Sequence, residues 1–256
     1  MPPPHCVSLW IGPSLGLLER ACLRSVLRQG HSLSLYCYRT PEGVPEGVEL
    51  ADAAQVVPES EVVPYRNGSY SLFSNRFRYE LQRRALGTWL DCDAYLLAPL
   101  DSERPYLVGE EASGILNGGV LRMPPASPIL PVLLRHFEER EVPRWLPSRA
   151  WLASHLRRAL TGRTGIADMP WGTFGPKGLS AVARQLGVNV EPLPAEVLYP
   201  VAWQDAEWIT DPNQKLEDRI TGRTISVHLW NERIKHLKDS PAAPGSFLAR
   251  LNDEGA

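Results

Sequence analysis

Apolar positions recur along this chain at two spacings, one typical of strands and the other of helices. Residues 5–11 form a short apolar run that Gly12 and Pro13 end, and residues 15–27 place apolar side chains at helical spacing. Residues 33–38 then alternate between apolar and polar positions. Strand, helix and strand of these lengths predict a βαβ unit, so we expect the sheet to begin with parallel strands.

The same spacings predict further elements after an irregular, proline-rich stretch over residues 40–64. A helix over residues 71–86 carries an apolar stripe, and Ser69 or Ser71 offers an N-cap. Helices are also predicted at 127–140, 148–160 and 178–186, and strands at 55–57, 88–90, 94–97, 115–123, 188–190 and 224–230. This alternation predicts one α/β domain over residues 1–239, with a mostly parallel central sheet flanked by helices and residues 240–256 as a tail.

Two carboxylates lie between two short apolar runs, at residues 88–90 and 94–97. Asp91 and Asp93 follow the first run, and ligands of open α/β sheets bind at the carboxyl ends of strands. Carboxylates one residue apart suit a hard divalent cation, which takes oxygen ligands. Two solvated aspartates would not need hydrophobic strands on either side, so the flanking runs strengthen the case for a metal site, and a solvated turn stays open as the alternative.

Composition narrows the classes of protein that fit this chain. A formal net charge of −2 over 256 residues, with no cluster of Lys and Arg, argues against nucleic acid as a partner. No segment reaches the roughly 18 apolar residues that span a bilayer. Cys6, Cys22, Cys37 and Cys92 lack metal-type spacing and lie in apolar surroundings, which favours buried thiols over disulfides. We therefore expect a cytoplasmic protein without a membrane span.

A series of short motifs runs through most of the chain. The motifs are Trp10-Ile11-Gly12, Ser74-Asn75-x-x-Arg78, Gly87-x-Trp89-Leu90-Asp91-x-Asp93, Asn117-Gly118-Gly119, Phe174-Gly175-Pro176 and Val227-His228-Leu229-Trp230-Asn231. Their order and spacing over residues 5–232 resemble the retaining glycosyltransferases with a DXD motif, a group that includes α-1,4-galactosyl- and N-acetylglucosaminyltransferases. The resemblance implies a GT-A-like fold, in which a Rossmann-like, mostly parallel sheet is flanked by helices.

The resemblance also implies roles for particular residues. Asp91 and Asp93 would be the catalytic carboxylates and would hold Mn²⁺ or Mg²⁺, and His228 could complete the metal site, where an imidazole suits manganese better than magnesium. The implied nucleotide-sugar contacts are Trp10, Ile11, Ser74, Asn75, Arg78, Asp91, Asn117, Gly118 and Trp230. Trp10 would stack on the nucleotide base. Asn75 departs from the family pattern, which usually has an aspartate that holds sugar hydroxyls, so the identity of the donor sugar stays open.

Several of these residues also have a purely structural explanation. Trp10 and His228 can be core side chains, and Arg78 can be a surface arginine on a helix. The stretch Asn117-Gly118-Gly119 can be only a turn. Asp91 and Asp93 have the strongest case for a functional role.

The resemblance implies a metal-dependent, retaining glycosyltransferase. Such an enzyme would move a sugar from a nucleoside diphosphate sugar, with UDP favoured, to a glycan or glycolipid acceptor, and the cation would offset charge on the departing diphosphate. Two other classes stay open: a catalytically silent nucleotide-sugar-binding protein, and a phosphatase or phosphotransferase with an aspartyl nucleophile. In the last class the motif normally follows the first strand, whereas here it lies far down the chain.

Overall fold

The fold is organised around a six-stranded sheet. The structure is a computed structural model that describes residues 3–138, 141–162, 165–238 and 240–256. Within these ranges the strands are β1 (Cys6–Trp10), β2 (Leu33–Cys37), β3 (Val48–Asp52), β4 (Thr88–Leu90), β5 (Ala94–Leu96), β6 (Leu107–Ala112), β7 (Ile115–Arg122) and β8 (Ser226–His228). The helices are α1 (Leu17–Arg28), α2 (Ser71–Arg83), α3 (Ile129–Glu138), α4 (Ser148–Thr161), α5 (Pro176–Leu186), α6 (Ala195–Leu198), α7 (Asn231–Ile234) and α8 (Phe247–Gly255).

The sheet has the strand order β3-β2-β1-β4-β7-β6, and its first four strands run parallel. The pairing of β1 with β2 runs from Cys6 opposite Leu33 to Trp10 opposite Cys37. Strand β7 pairs antiparallel with both β4 and β6, and β5 and β8 form a separate antiparallel ribbon. The predicted α/β class with a mostly parallel central sheet is confirmed, and the architecture is consistent with a GT-A-like fold.

Strand β1 shows how both faces of the sheet are covered. Cys6 belongs to a core cluster with residues of α1, α6 and α8, whereas its neighbour Val7 belongs to a second cluster with residues of α2, α3 and α5. Successive side chains of a strand point to opposite faces, so the two clusters lie on opposite sides of the sheet. Burial on both faces explains why this strand reads as a continuous apolar run.

The predicted strand at residues 55–57 is wrong. The strand in this region is β3, which lies just upstream at the edge of the sheet and is largely exposed, so it lacks a clear apolar pattern. The Asp52 carboxylate accepts a hydrogen bond from the Ala54 amide at 2.8 Å and starts a 3-10 turn, Ala53–Gln55. A side chain that bonds to the backbone two residues on is a common way to end a strand.

Two further differences concern the second half of the sheet. Residues 188–190 form no strand, because the Val188 amide instead donates to the Ala183 carbonyl at the end of α5. The apolar pattern does not predict β6, whose sequence contains a glycine and two glutamates. Strand β7 runs unbroken through Gly118 and Gly119, so these glycines do not form a turn.

The helix predictions hold with shifted ends. Helix α3 covers most of the predicted 127–140 segment, whose last two residues lie outside the described ranges. At the start of α2, Tyr70 occupies the N-cap position, and the Ser69 hydroxyl accepts a hydrogen bond from the Ser71 amide at 3.3 Å. Of the two serines considered as a cap, Ser69 is therefore the one whose side chain satisfies a backbone amide there.

The cysteines behave as predicted from their surroundings. All four are free and buried, and burial raises the pKa of Cys22 and Cys92 well above the ordinary thiol value. These two side chains therefore stay protonated and pack as small apolar groups. In the described parts of the chain, every helix is too short or too polar to traverse a lipid bilayer.

The segment after residue 240, which carries no clear pattern, contains α8. The Ser246 hydroxyl caps this helix by accepting a hydrogen bond from the Ala249 amide at 3.2 Å. Helix α8 packs along α1, and Leu251 is fully buried there. Arg28 of α1 pairs with Glu254 at 2.8 Å across the same contact. The helix therefore completes one of the two core clusters.

Leu251→Ala tests how much α8 contributes to the fold. Removing a fully buried leucine side chain leaves a cavity, and we expect a loss of about 2–5 kcal/mol in the free energy of unfolding, measured by urea denaturation. The neighbouring exposed residue provides a control, since Asp253→Ala should change this free energy by no more than about 0.5 kcal/mol. Equal stability of the two variants would mean that α8 packs only loosely.

Candidate functional site

A cleft of about 830 Å³ opens where β1 and β4 end. Trp10 is the last residue of β1 and Asp91 follows β4, so the cleft lies at the carboxyl edge of the parallel strands, where open α/β sheets bind ligands. It is lined by the predicted site residues Trp10, Ile11, Ser74, Asn75, Arg78, Asp91, Asp93, Asn117, His228 and Trp230. Gly118 is the one predicted site residue that does not line it.

Asp91 is anchored through one of its two carboxylate oxygens. Trp89 Nε1 and Arg78 Nη2 donate to Asp91 Oδ1 at 2.8 and 2.9 Å. The other oxygen, Oδ2, lies 3.3 Å from His228 Nε2. The carboxylate is thus fixed on one side and presents its second oxygen to the cleft.

Asp93 likewise has one carboxylate oxygen bound by the protein backbone and the other close to His228. The Asn231 amide donates to Asp93 Oδ2 at 2.7 Å, and Asp93 Oδ1 lies 3.5 Å from His228 Nε2. The β5–β8 ribbon sets this arrangement, because it pairs Ala94, which follows Asp93, with His228. A local backbone pairing therefore brings a residue from the end of the chain onto the Asp91–Asp93 pair.

Ligand atoms of Asp91, Asp93 and His228 all lie within 4.8 Å of one another. Two carboxylates and one imidazole form a donor set that suits Mn²⁺ and, with its oxygens alone, Mg²⁺. Each carboxylate has one oxygen tied to the protein and one directed at His228, so three ligand atoms converge without rearrangement of the backbone. The residues present therefore fit a divalent cation.

The charges of these three groups are strongly coupled. Burial raises the pKa of Asp91, but Arg78 and the hydrogen bonds from His228 and Trp89 outweigh burial and bring the pKa below its ordinary value. Burial also raises the pKa of Asp93, and the attraction of His228 only partly offsets it. For His228, burial lowers the pKa, but the two carboxylates outweigh it and the pKa ends above its ordinary value. The two carboxylates thus favour the charged form of the imidazole.

The glycines of β7 make room for two of these side chains. A Cβ atom on Gly119 would lie 2.7 Å from His228 Cδ2, and one on Gly118 would lie 3.1 Å from Arg78 Nη1. Both distances are shorter than ordinary contacts, so side chains here would displace His228 and Arg78. Close approach of protein side chains, and not a turn, accounts for the Gly-Gly pair.

Arg78 pairs with Asp91, and all three of its guanidinium nitrogens donate hydrogen bonds to protein acceptors. Besides Asp91, its nitrogens donate to the Gly118 carbonyl and, at 3.3 Å, to the Ser74 carbonyl. The guanidinium also lies 4.9 Å from the centre of the Trp89 ring, within the range of a cation–π contact. Its side chain is only 7% exposed, so Arg78 is a buried support and not a surface arginine.

Trp10 and the start of α2 form the wall of the cleft beside β1. Trp10 packs against the core cluster that includes α1 and also lines the cleft. Its indole Nε1 is buried and has no hydrogen-bond partner among the described residues. Asn75 Nδ2 donates to the Ser71 carbonyl at 2.8 Å, which turns the side-chain amide of this residue back toward its own helix.

The segment after β8 turns sharply at Trp230. This residue has left-handed backbone angles, with φ 55° and ψ 54°, which cost energy for a bulky side chain. The turn brings the Asn231 amide to Asp93, while Asn231 Nδ2 donates to Glu19 at 2.8 Å. The Trp230 ring centre lies 4.4 Å from that of His228. The strained turn thus fixes both the second carboxylate and the imidazole.

Sequence reasoning missed several residues that line the cleft. They are Glu111, Trp171, Lys177, Trp203, Lys235 and Lys238. Lys238 pairs with the buried Glu19 and Lys235 with Glu232, whereas Lys177 forms no ion pair with a described residue. Single lysines at helix ends and in turns carry no periodic signal. Glu111 lies in the unpredicted strand β6, so nothing in the pattern places it near Asp91.

Comparison with known proteins agrees with this geometry. Residues 168–253 match the family model for the alpha 1,4-glycosyltransferase conserved region, a match that includes His228. The match to this family model, the fold and the carboxylate cluster confirm the resemblance to glycosyltransferases of the GT-A fold stated above.

The similar proteins include lactosylceramide 4-alpha-galactosyltransferases. The protein from Homo sapiens is 25% identical over 182 residues, which cover 71% of this chain and 47% of the human protein. The protein of the same name from Pongo pygmaeus is 24% identical over 182 residues, which cover 71% of this chain and 76% of that relative. The match thus spans about half the length of the human relative.

Proposed function

We propose that this chain is a metal-dependent, retaining glycosyltransferase that transfers a hexose from a UDP-sugar to a hydroxyl group of a glycan or glycolipid. One observation carries the proposal: Asp91, Asp93 and His228 bring ligand atoms within 4.8 Å of one another in a cleft at the carboxyl edge of the sheet. Asp91, Asp93 and His228 would hold a divalent cation, which would supply Lewis-acid stabilisation of the leaving diphosphate.

The protein's own part in this mechanism is to fix the ligand set in advance. Trp89 and Arg78 orient Asp91, and the Asn231 amide orients Asp93. Groups that are already in position cost no reorganisation energy when charge develops on the departing diphosphate. In this proposal Arg78 is a positioning residue that acts through Asp91, because its three nitrogens bind protein acceptors.

Retention of configuration follows if the acceptor hydroxyl attacks the anomeric carbon on the face from which the diphosphate leaves. The bond between the anomeric carbon and the diphosphate oxygen breaks, and a bond to the acceptor oxygen forms. The proton of the acceptor hydroxyl passes to the departing phosphate oxygen, so no separate base is required. The cleft orients the two substrates for this transfer.

The names of the relatives suggest the first substrates to test. A galactosyltransferase that acts on lactosylceramide makes UDP-galactose the first donor to try and a galactose-terminated glycan or glycolipid the first acceptor. Asn75 keeps hydrogen-bonding capacity but lacks the charge of the usual aspartate, so the donor is a point on which this chain can differ from its relatives.

The test is a transfer assay with the purified chain. We expect UDP release from UDP-galactose in the presence of Mn²⁺ and lactose, an α-linked product by NMR, and loss of both signals in excess EDTA. Parallel reactions with UDP-glucose and GDP-mannose check the donor. If none of these donors binds or reacts in the presence of Mn²⁺, the proposed function is wrong.

Trp10→Ala tests the nucleotide side of the cleft. If the indole stacks on uracil, UDP binding measured by calorimetry with Mn²⁺ should weaken by about 1–3 kcal/mol. Trp10→Phe is the matched control, because it keeps an aromatic face and should recover most of the affinity. Unchanged UDP affinity in a folded Trp10→Ala variant would assign this residue to the core alone.

A further inference from the structure

Glu111 is a third carboxylate in the cleft and lies outside the metal-ligand cluster. It belongs to β6 and lines the same cleft as Asp91, Asp93 and His228. Asn117 Nδ2 donates to Glu111 Oε2 at 2.5 Å, and Asn117 Oδ1 accepts a hydrogen bond from the Gly119 amide at 2.7 Å. The second contact fixes which way the Asn117 amide points, so Glu111 is held by an oriented donor.

The other oxygen of Glu111 has no such partner. Oε1 makes no hydrogen bond, and the residue forms no ion pair, to any described part of the chain. Asp91 and Asp93, by contrast, are offset by Arg78 and His228. A half-buried carboxylate with one unused oxygen is costly unless a ligand supplies a hydrogen-bond donor.

Charge decides which part of a nucleotide sugar can approach this oxygen. A diphosphate is anionic and would be repelled by a carboxylate that has no ion-pair partner among the described residues, whereas sugar hydroxyls are neutral donors that bond well to a carboxylate. The rim of the cleft also exposes two indole rings, Trp171 and Trp203, which are 40% and 38% exposed. Exposed apolar ring faces and a hydrogen-bond acceptor in the same cleft suit a ring that has both hydroxyl groups and apolar C–H faces.

We infer that Glu111 is the anchor of a sugar subsite, in which its Oε1 atom accepts hydrogen bonds from hydroxyl groups of a hexose bound beside the diphosphate position. The inference rests on the proposed function and adds the residue that selects the sugar. Asn117 is its positioning residue, because it binds Oε2 and leaves Oε1 as the oxygen that can accept from a ligand. The hexose is either that of the donor or the terminal one of the acceptor.

The experiment compares Glu111→Ala and Glu111→Gln with wild type. Calorimetry with Mn²⁺ measures the affinity for UDP and for UDP-galactose, and steady-state kinetics measure KM and kcat for lactose. We expect the affinity for UDP, which has no sugar, to stay within about twofold of wild type. For Glu111→Ala either the UDP-galactose affinity or kcat/KM for lactose should fall by about tenfold or more, as expected for the loss of a hydrogen bond to a charged group.

The two arms distinguish the source of the sugar. A loss confined to UDP-galactose places the donor hexose at Glu111, and a rise in the KM for lactose places the acceptor hexose there. Glu111→Gln should recover part of the loss, because its amide oxygen can still accept a hydrogen bond. Glu110→Gln is the matched control, since its side chain lies on the same strand outside the cleft and should leave all values unchanged.

Three results would overturn the inference. In the first, Glu111→Ala keeps wild-type affinity for UDP-galactose and wild-type kinetics with lactose. In the second, UDP affinity falls as much as UDP-galactose affinity, which would assign Glu111 to the phosphate site or to the fold. In the third, wild type itself neither binds nor turns over UDP-galactose, UDP-glucose or GDP-mannose with Mn²⁺. This result removes the proposed function and the inference together, whereas the first two leave the proposed function standing.

Discussion

Asp93→Asn is expected to fold normally and to lose nearly all sugar transfer, by about 10²–10³-fold in turnover. The substitution keeps the shape of the side chain, so the Asn231 amide still has an acceptor. It removes the charge that offsets the cation, which in turn offsets the departing diphosphate. The loss corresponds to about 3–4 kcal/mol in the activation free energy. UDP release measures turnover, and calorimetry should show much weaker joint binding of Mn²⁺ and UDP.

Substitutions of the other two candidate metal ligands should reduce turnover by smaller amounts. Asp91→Asn should be impaired less, because Trp89 and Arg78 still hold its Oδ1 position. His228→Ala should fall between the two aspartate variants if the imidazole is a metal ligand. Asp253→Asn, on the exposed face of α8, is the charge-matched control and should behave as wild type. Wild-type activity that persists in excess EDTA, or an Asp93→Asn enzyme that keeps more than about a tenth of its turnover, would rule out the metal mechanism.

Arg78→Met should destabilise the fold as well as the site. The Arg78 side chain is 7% exposed, and its guanidinium pairs with Asp91 at 2.9 Å. Removing it leaves the largely buried Asp91 carboxylate without its guanidinium partner. Breaking a buried pair in this way commonly costs about 3–5 kcal/mol. Urea denaturation at neutral pH measures this loss directly. Arg78→Lys keeps the charge but lacks the planar guanidinium that reaches the Ser74, Gly118 and Asp91 oxygens together. It should therefore lose less stability than Arg78→Met, and its loss of activity should exceed what its loss of stability explains.

The pH dependence gives a second check on this pair. Because the pKa of Asp91 is lowered in the folded protein, its interactions stabilise the fold above the unfolded pKa of about 3.9 and are lost as the pH falls through the folded value. The stability gap between wild type and Arg78→Met should therefore narrow in acid. A gap that stays constant down to about pH 3 would mean that Arg78 acts by packing on Trp89 and not through the charge of Asp91.

Local sequence patterns were sufficient to predict the elements that are buried on both sides, because such elements have distinctive apolar runs. Apolar runs, and the residues that end them, predict the β1–α1–β2 unit and the short strands around Asp91 and Asp93. The structure places these elements as predicted. His228 follows from an alternating segment near the end of the chain. The pairing that brings His228 to Asp93 is a long-range contact, and the resemblance rather than the pattern suggested it.

Sequence patterns did not predict the roles of residues that depend on contacts between distant parts of the chain. The resemblance placed Arg78 among the nucleotide-sugar contacts, whereas its hydrogen bonds show a buried support for Asp91. Glu111 lies in strand β6, whose glycine and two glutamates obscure the apolar pattern of a strand. Its place in the cleft depends on the hairpin with β7. Such positions are set by tertiary packing, which sequence periodicity does not record.

The β5–β8 ribbon joins parts of the site that are far apart along the chain. Asp91 and His228 are 137 positions apart, yet three paired residues on each strand fix their relative position. The stretch between them carries Glu111, Trp171 and Trp203. Once both ends of a loop are fixed, doubling its length costs only about 0.6 kcal/mol in closure entropy. Insertions and deletions in the loops that join the elements of this stretch can therefore accumulate during evolution while the carboxylate–imidazole cluster stays in place, and we expect sugar preference to diverge among related chains faster than cation binding.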